Sequence, residues 1–336
     1  MILLKGVLIA SVLSSIVQAD GTASVRAASL NITQTWNAPF PLSSSTTSAA
    51  IDYIIENWFT SSKSVYGSDD VSFVPDPFES NSTGSVVRVL YPAGSYAPVA
   101  TKNNNNGTVG GLEFFSVPDS GATYNTALLS YDLAFDPSFD WVKGGKLPGI
   151  FGGSPGDGCA GGLKATGSNC FSVRLMWRSA GAGEAYAYIP TSDSLCQTKQ
   201  VVCNIDYGTS FSRGIIQFST SKWTRMEIYV KLNSGSHANG ILKVWQDGSL
   251  MINQQAIQFR SSDAVGISSL MFSTFFGGGS TDYATTVDTY TYYKNIQFST
   301  GNTPYPAVGS SGGLLLKVPH FLLYAITALI VLACNA

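Results

Sequence analysis

The sequence predicts an all-β protein: a jelly-roll β-sandwich of two antiparallel sheets, with a short N-terminal helical segment. Two observations carry this. Most of the chain is short runs such as "EFFSV", "CFSVRLMWR", "EAYAYIP" and "LMFSTFF", broken by Gly, Asn, Asp and Ser. Several of these runs alternate apolar and polar residues at period two, the mark of a strand with one buried face. Against them stands a single helical pattern, and many strands with few helices argue for two packed sheets.

The elements follow in order. "MILLKGVLIASVLSSIVQAD" has an early cation (Lys5), an apolar run and small residues at Val17-Gln18-Ala19, so residues 1–19 read as a secretory signal. Residues 20–60 form a lead-in, irregular up to about residue 50. Its helix lies at "AAIDYIIENWF" (49–59), where Ile51, Ile54, Ile55 and Trp58 share one face. Residues 61–302 are the sandwich. Its runs include "SVVRVLYPAGSY", "GIIQF", "RMEIYVKLN", "GILKVWQ", "SLMINQQ" and "TYTYYKNIQF", with a hairpin turn at Asp247-Gly248. "TKNNNNGT" (101–108) is a polar loop. Residues 303–336 are a linker and hydrophobic tail, in which small residues at Gly309–Gly313 precede an apolar stretch to Ala333. That order fits a glycolipid (GPI) anchor signal, with a plain transmembrane tail as the alternative.

Composition narrows the function. Without Lys5 and Lys317 the chain has 17 basic and 21 acidic residues, and no basic stripe that would suit nucleic acid. Four of the five cysteines precede the tail: Cys159, Cys170, Cys196 and Cys203. An even number in an exported chain indicates two disulfides. Spacing favours Cys159 with Cys170 and Cys196 with Cys203, although three pairings are open. Asn31, Asn81 and Asn106 begin glycosylation sequons. The expected product is a monomer, secreted or held at the cell surface, touching membrane only through its anchor.

Histidine and glutamate are scarce. With His320 in the tail, only His237 remains, in the turn-rich "NSGSHANG", which reads as a solvated loop. A histidine triad or histidine-rich metal site is therefore poorly supported. The glutamates are Glu56, Glu79, Glu113, Glu184 and Glu227, without the compact acidic motif of a β-sandwich glucanase. Asp263 and Asp282 could still meet in space as a hydrolytic pair.

The segment "CFSVRLMWRSAGAGEAYAYIP" (170–190) reads as a hairpin. Ser172, Arg174, Met176 and Arg178 share one face of its first strand, while Phe171, Val173, Leu175 and Trp177 suit a core. On the second strand Glu184, Tyr186 and Tyr188 oppose Ala185, Ala187 and Ile189. Pairing Arg178 with Glu184 sets Arg174 opposite Tyr188 and Met176 opposite Tyr186. One sheet surface then carries arginines, a glutamate and tyrosines. Arginine grips carboxylates with a planar fork, and tyrosine can exchange protons, so this set suits an acidic sugar. A second cation, Lys146, lies in the glycine-rich "GGKLPGIFGGSPGDGC" (144–159), which reads as a loop folding over that surface.

At this point the chain resembles polysaccharide lyase family 14. The resemblance rests on "RVLYPAGSY", "KGGKLPGIFGG", "GCAGG", "FSVRLMWR", "GEAYAYIP", "YGTSFSRG", "NGILKVWQDG" and "STFFGG", in that order over roughly residues 70–300. It implies a concanavalin-like jelly roll and β-elimination on a polyuronate of the glucuronan or alginate type, with no metal or cofactor. Fungal glucuronan lyases have a related architecture, and the leader and anchor would suit a fungal cell surface. By matching motifs, the resemblance implies catalytic roles for Lys146, Ser172, Arg174, Tyr186 and Tyr188. It makes Arg88 a wall of the groove, and Arg178 and Glu184 share the same polar face as substrate contacts. Lys146 and Arg174 are expected to stabilise charge, with Ser172 as an added donor. Nearby cations are expected to favour an ionised tyrosine as base. The alternatives are a non-catalytic carbohydrate-binding protein and a structural cell-wall protein on the same fold.

Overall fold

The computed structural model describes residues 21–101, 107–119, 121–301 and 305–306. The expected leader, nearly all of the tail, Asn106 and His320 lie outside the described residues. The unit Met1–Tyr305 contains the sandwich.

Its strands are β1 (Gln34–Asn37), β2 (Val71–Pro75), β3 (Ser85–Tyr91), β4 (Leu112–Ser116), β5 (Ala122–Thr123), β6 (Thr126–Phe135), β7 (Gly144–Gly152) and β8 (Phe171–Arg178). They continue with β9 (Ala182–Tyr188), β10 (Val201–Val202), β11 (Thr209–Gln217), β12 (Thr224–Lys231), β13 (Gly240–Gln246), β14 (Ser249–Ile257), β15 (Ile267–Phe276) and β16 (Thr289–Gly301). One sheet runs β14-β13-β12-β6-β16-β3-β2, with β1 added beside β16; the other runs β10-β11-β9-β8-β7-β15-β4. Every pairing between these strands is antiparallel, and the arrangement is a jelly-roll sandwich.

The core lies between the sheets, and the period-two pattern fills it. Phe171, Val173, Leu175 and Trp177 of β8 point into it, as do Ala185 and Ala187 of β9. Trp177 meets Tyr91 of the opposite sheet at 6.1 Å between ring centroids. Burying side chains of this size contributes about 1.5–3 kcal/mol each. The Asp247-Gly248 turn closes β13 onto β14 with both residues at positive φ, 48° and 80°, as a two-residue hairpin turn requires.

Three segments depart from the sequence reading. First, the early lead-in is regular rather than irregular. Helix α1 (Gly21–Ser29) packs on the outer face of the larger sheet, where Arg26 pairs with Glu227 at 2.7 Å and lies over the Trp245 ring. The expected helix forms as α2 (Thr47–Asn57), with Ala50, Ile51 and Ile54 buried. Second, β6 is not marked by alternation because it is buried on both faces. It lies between β12 and β16, and α1 covers Leu128 on its outer side. Third, the glycine-rich segment is no loop: Gly144–Gly152 is β7, in the interior of the smaller sheet. Its glycines make room for rings. A Cβ on Gly145 would meet the Trp177 indole at 2.1 Å, and one on Gly152 would meet the Phe171 ring at 2.0 Å. Pro148 sits where the ladder shifts register between Leu147 and Gly149, so its missing N–H interrupts a bulge rather than a regular pairing.

One buried carboxyl predicts a pH dependence of stability. Asp70 is buried, its Oδ2 has no hydrogen-bond partner, and burial with help from Asp69 pushes its pKa up to about 7. The folded state therefore holds this proton where the unfolded chain, at about 3.9, has released it. The contribution is fully present below about pH 4 and is lost as pH rises to about 7. Thermal melting across that window should show Asp70→Asn gaining on the wild type as pH rises. Parallel curves would contradict this.

Candidate active site

The site is the outer face of the smaller sheet. On β8 and β9, residues not used by the core point the other way. Met176, Tyr186 and Tyr188 cluster there with Phe151 and Met271. The hairpin forms, but two residues away from the expected register. Ser172 faces Tyr188, Arg174 faces Tyr186 and Met176 faces Glu184. The cause is the connection: Ser179–Gly181 turns as a short 3-10 segment, with Ala180 at φ 58°, so the strands pair two residues sooner than the expected pairing assumes. Because the shift is two residues, each side chain keeps its face. Arg178 still reaches Glu184 diagonally, at 2.5 Å.

Lys146 reaches this face from β7, not from a flap. Its Nζ lies 4.5 Å from the centroid of the Tyr186 ring. It is half-buried and makes no ion pair among the described residues. Burial, then Arg174 and Arg178, pull its pKa well below the usual lysine range, opposed only by Glu184. Arg174 forms the floor. It is 2% exposed, its guanidinium donates to Ser273 Oγ at 3.0 Å, and its Nε is buried without a partner.

The tyrosines are held by backbone donors. Gly208 N–H donates to the Tyr186 hydroxyl at 2.8 Å, and Gly162 N–H to the Tyr188 hydroxyl at 3.0 Å. The rings meet edge to face at 5.8 Å. Burial raises the Tyr186 pKa above the ordinary phenol value, with Tyr188 adding to it. The expected ionisation by nearby cations is therefore not found at Tyr186: Arg174 lowers its pKa, but desolvation of the phenolate is the larger effect.

Other expected residues take different places. Ser172 is fully buried and donates to the Cys159 carbonyl at 2.6 Å, so its proton is committed to holding the Cys159 loop rather than offered outward. That loop carries Gly162 and is closed by the Cys159–Cys170 disulfide, while Cys196–Cys203 closes a second loop. Glu184 is also fully buried, which corrects its reading as a substrate contact. Its oxygens are taken by Arg178 at 2.5 Å and Arg213 at 2.7 Å, and Ser210 adds a hydrogen bond at 3.0 Å. Arg88 does not join the site. It lies on the outer face of the other sheet, over Tyr290, with its Nε on Ser72. The alternation of β3 explains this, since Val87, Val89 and Tyr91 take the core-facing positions. Asp263 and Asp282 pair with Arg260 and Lys143 respectively, and His237 is an exposed loop residue.

Sequence reasoning missed three contributors. Glu113 of β4 accepts from Ser273 at 2.7 Å and so stands behind the hydroxyl that holds Arg174. Arg213 shares Glu184 with Arg178. Ser273 and Arg213 lie within "STFFGG" and "YGTSFSRG", so motif position was the available signal.

The profile of polysaccharide lyase family 14 matches residues 79–296, most of the chain and all of the site. The chain belongs to polysaccharide lyase family 14. The family is one of uronate polysaccharide lyases, and solved structures agree with the assignment. This chain is 31% identical to the PL-14 alginate lyase of Aplysia kurodai, covering 80% of this chain and 99% of that one with a TM-score of 0.66. It shares its fold with alginate lyase vAL-1 from a Chlorella virus, at 23% identity and a TM-score of 0.59, covering 80% of this chain and all (100%) of that one. A curated relative, Exolysin of Paramecium bursaria Chlorella virus 1, is 29% identical over 202 residues, 53% of this chain. The chain spans only 30% of that relative's length. Nothing in these matches supports a fungal source.

Proposed function

We propose that this protein cleaves an alginate-type polyuronate by β-elimination, with Lys146 as the base and Tyr186 as the acid. The observation that carries the reading is the contact of Lys146 Nζ with the Tyr186 ring on the sheet face that also holds a buried Arg174, which makes no direct ion pair among the described residues and reaches Glu113 only through Ser273. The relatives named above as alginate lyases support the choice of polymer.

The chemistry follows from charge. The proton at C5 of a uronate is weakly acidic because its removal places negative charge beside a carboxylate. A donor already fixed where that charge develops lowers the barrier without reorganising. Arg174 suits this role as a buried guanidinium fixed on the same sheet face by Ser273. Lys146, its amine biased toward the neutral form, takes the C5 proton. The C4–O4 bond then breaks, a C4=C5 double bond forms, and Tyr186 gives its proton to the departing O4. A phenol kept protonated by burial is suited to donate rather than to abstract. This reverses the roles that the sequence alone suggests for the lysine and the tyrosines. Tyr188 positions the sugar, and Ser172 with the Tyr188 hydroxyl holds the disulfide loop in place.

Two disulfides, with Asn31 and Asn81 exposed, support export through an oxidising route. The lipid anchor belongs to this reading too, and release from cells by a phosphatidylinositol-specific phospholipase is its test.

Incubation with polymannuronate, polyguluronate and polyglucuronate tests the activity through the ultraviolet absorbance of the unsaturated product. A rise with the first two, larger than with polyglucuronate, is expected. Binding without a rise would favour a carbohydrate-binding protein, and neither with any uronate would favour a structural role.

A further inference from the structure

Strand β11 contains an irregularity where it pairs with β9. Phe211 pairs with Ala185 and Ile216 with Gly183 on β9. Two steps along β9 are thus matched by five along β11, and the four residues Ser212, Arg213, Gly214 and Ile215 stand opposite the single residue Glu184. The bulge holds Ser212 at φ 52°, a left-handed value that serine adopts at a cost, and Gly214 at φ 83°.

The consequence concerns Arg213. In a regular strand, side chains two apart share a face, so Arg213 would follow Phe211 into the core. The bulge turns it outward instead, a known use of bulges. Its Nε then donates to Glu184 at 2.7 Å and its Nη2 to Ser210 at 2.9 Å. Half of its side chain stays exposed, and its other terminal nitrogen has no partner among the described residues. Glu184, with no exposed surface, binds Arg178 on its other oxygen. Two guanidiniums on one carboxylate leave a net positive charge at the surface. Glu184 fixes their orientation, so little side-chain freedom remains to be lost on binding an anion.

Position identifies the anion. Lys146, Met176 and Glu184 face one another in a row across β7, β8 and β9. Arg213 extends that row onto β11. Three strand spacings separate β7 from β11, about 14 Å, a span that one polysaccharide chain crossing the strands would cover. We propose that Arg213 and Arg178, held by Glu184, form a second subsite that binds the carboxylate of a uronate in the same chain, away from the bond being cut. The proposal takes its ligand class from the lyase reading.

The test is binding of a uronate tetrasaccharide and of a neutral tetrasaccharide to Lys146→Ala, alone and combined with Arg213→Ala or Arg213→Lys, by calorimetry. The lysine background prevents turnover. Arg213→Ala should weaken uronate binding tenfold or more, Arg213→Lys should recover part of it because the charge returns without the fork, and neutral-sugar binding should not depend on residue 213. Uronate affinity unchanged by Arg213→Ala would overturn the subsite. So would an equal loss for the neutral sugar, since that marks a structural role. Failure of the wild-type protein to produce any unsaturated product would instead sink the lyase reading, and Arg213-dependent uronate binding would still establish the subsite.

Discussion

Lys146→Ala removes the proton acceptor and is expected to lower kcat/KM on a polyuronate by about 10²–10⁴-fold, the usual range for a positioned general base. The fold should survive, because Lys146 points away from the core and takes part in no ion pair among the described residues. Melting should therefore stay close to wild type while product formation disappears. The pH profile adds a sharper sign. A base must be unprotonated, so kcat/KM should rise with pH through the pKa of Lys146. Burial, Arg174 and Arg178 move that pKa well below the ordinary lysine value, so the rise should be complete at a lower pH than an unperturbed lysine, near 10.4, would allow. Retained activity in the alanine variant would remove Lys146 from the chemistry.

Tyr186→Phe is expected to cost a similar factor, about 10²–10⁴-fold, with the loss in kcat rather than KM. Only the hydroxyl is removed, and the ring that carries Lys146 remains. The structural cost is one acceptor for Gly208 N–H, about 1 kcal/mol. A substrate with an activated leaving group should recover much of the lost rate, since it needs little protonation. A phenylalanine variant with normal kcat would assign the acid elsewhere.

The sequence made the strand faces legible because alternation is a local property. On β8 and β9 every side chain lies on the face that its position predicts, even though the register differs by two residues. That difference arose in a three-residue turn whose conformation no local pattern announces. Long-range placement was harder to read. Arg88 sits in a motif beside "YPAGS", yet its strand belongs to the other sheet and its face points away from the site. A glycine-rich segment suggests flexibility, whereas in β7 the absent side chains admit the Trp177 and Phe171 rings. β6 escaped notice because burial on both faces erases the alternation that marks an edge or half-covered strand. Burial also explains the tyrosine: a list of neighbouring cations cannot show that desolvation outweighs them.

The central claim is that Lys146, Tyr186 and Arg174 act together on one uronate. The most direct measurement is a crystal structure of Lys146→Ala bound to a uronate oligosaccharide. The account predicts a carboxylate within hydrogen-bonding distance of the Arg174 guanidinium, C5 facing the space that the lysine vacates, and O4 directed at the Tyr186 hydroxyl. A sugar chain seated elsewhere, for example on the opposite sheet beside Arg88, or one whose C5 turns away from position 146, would contradict it.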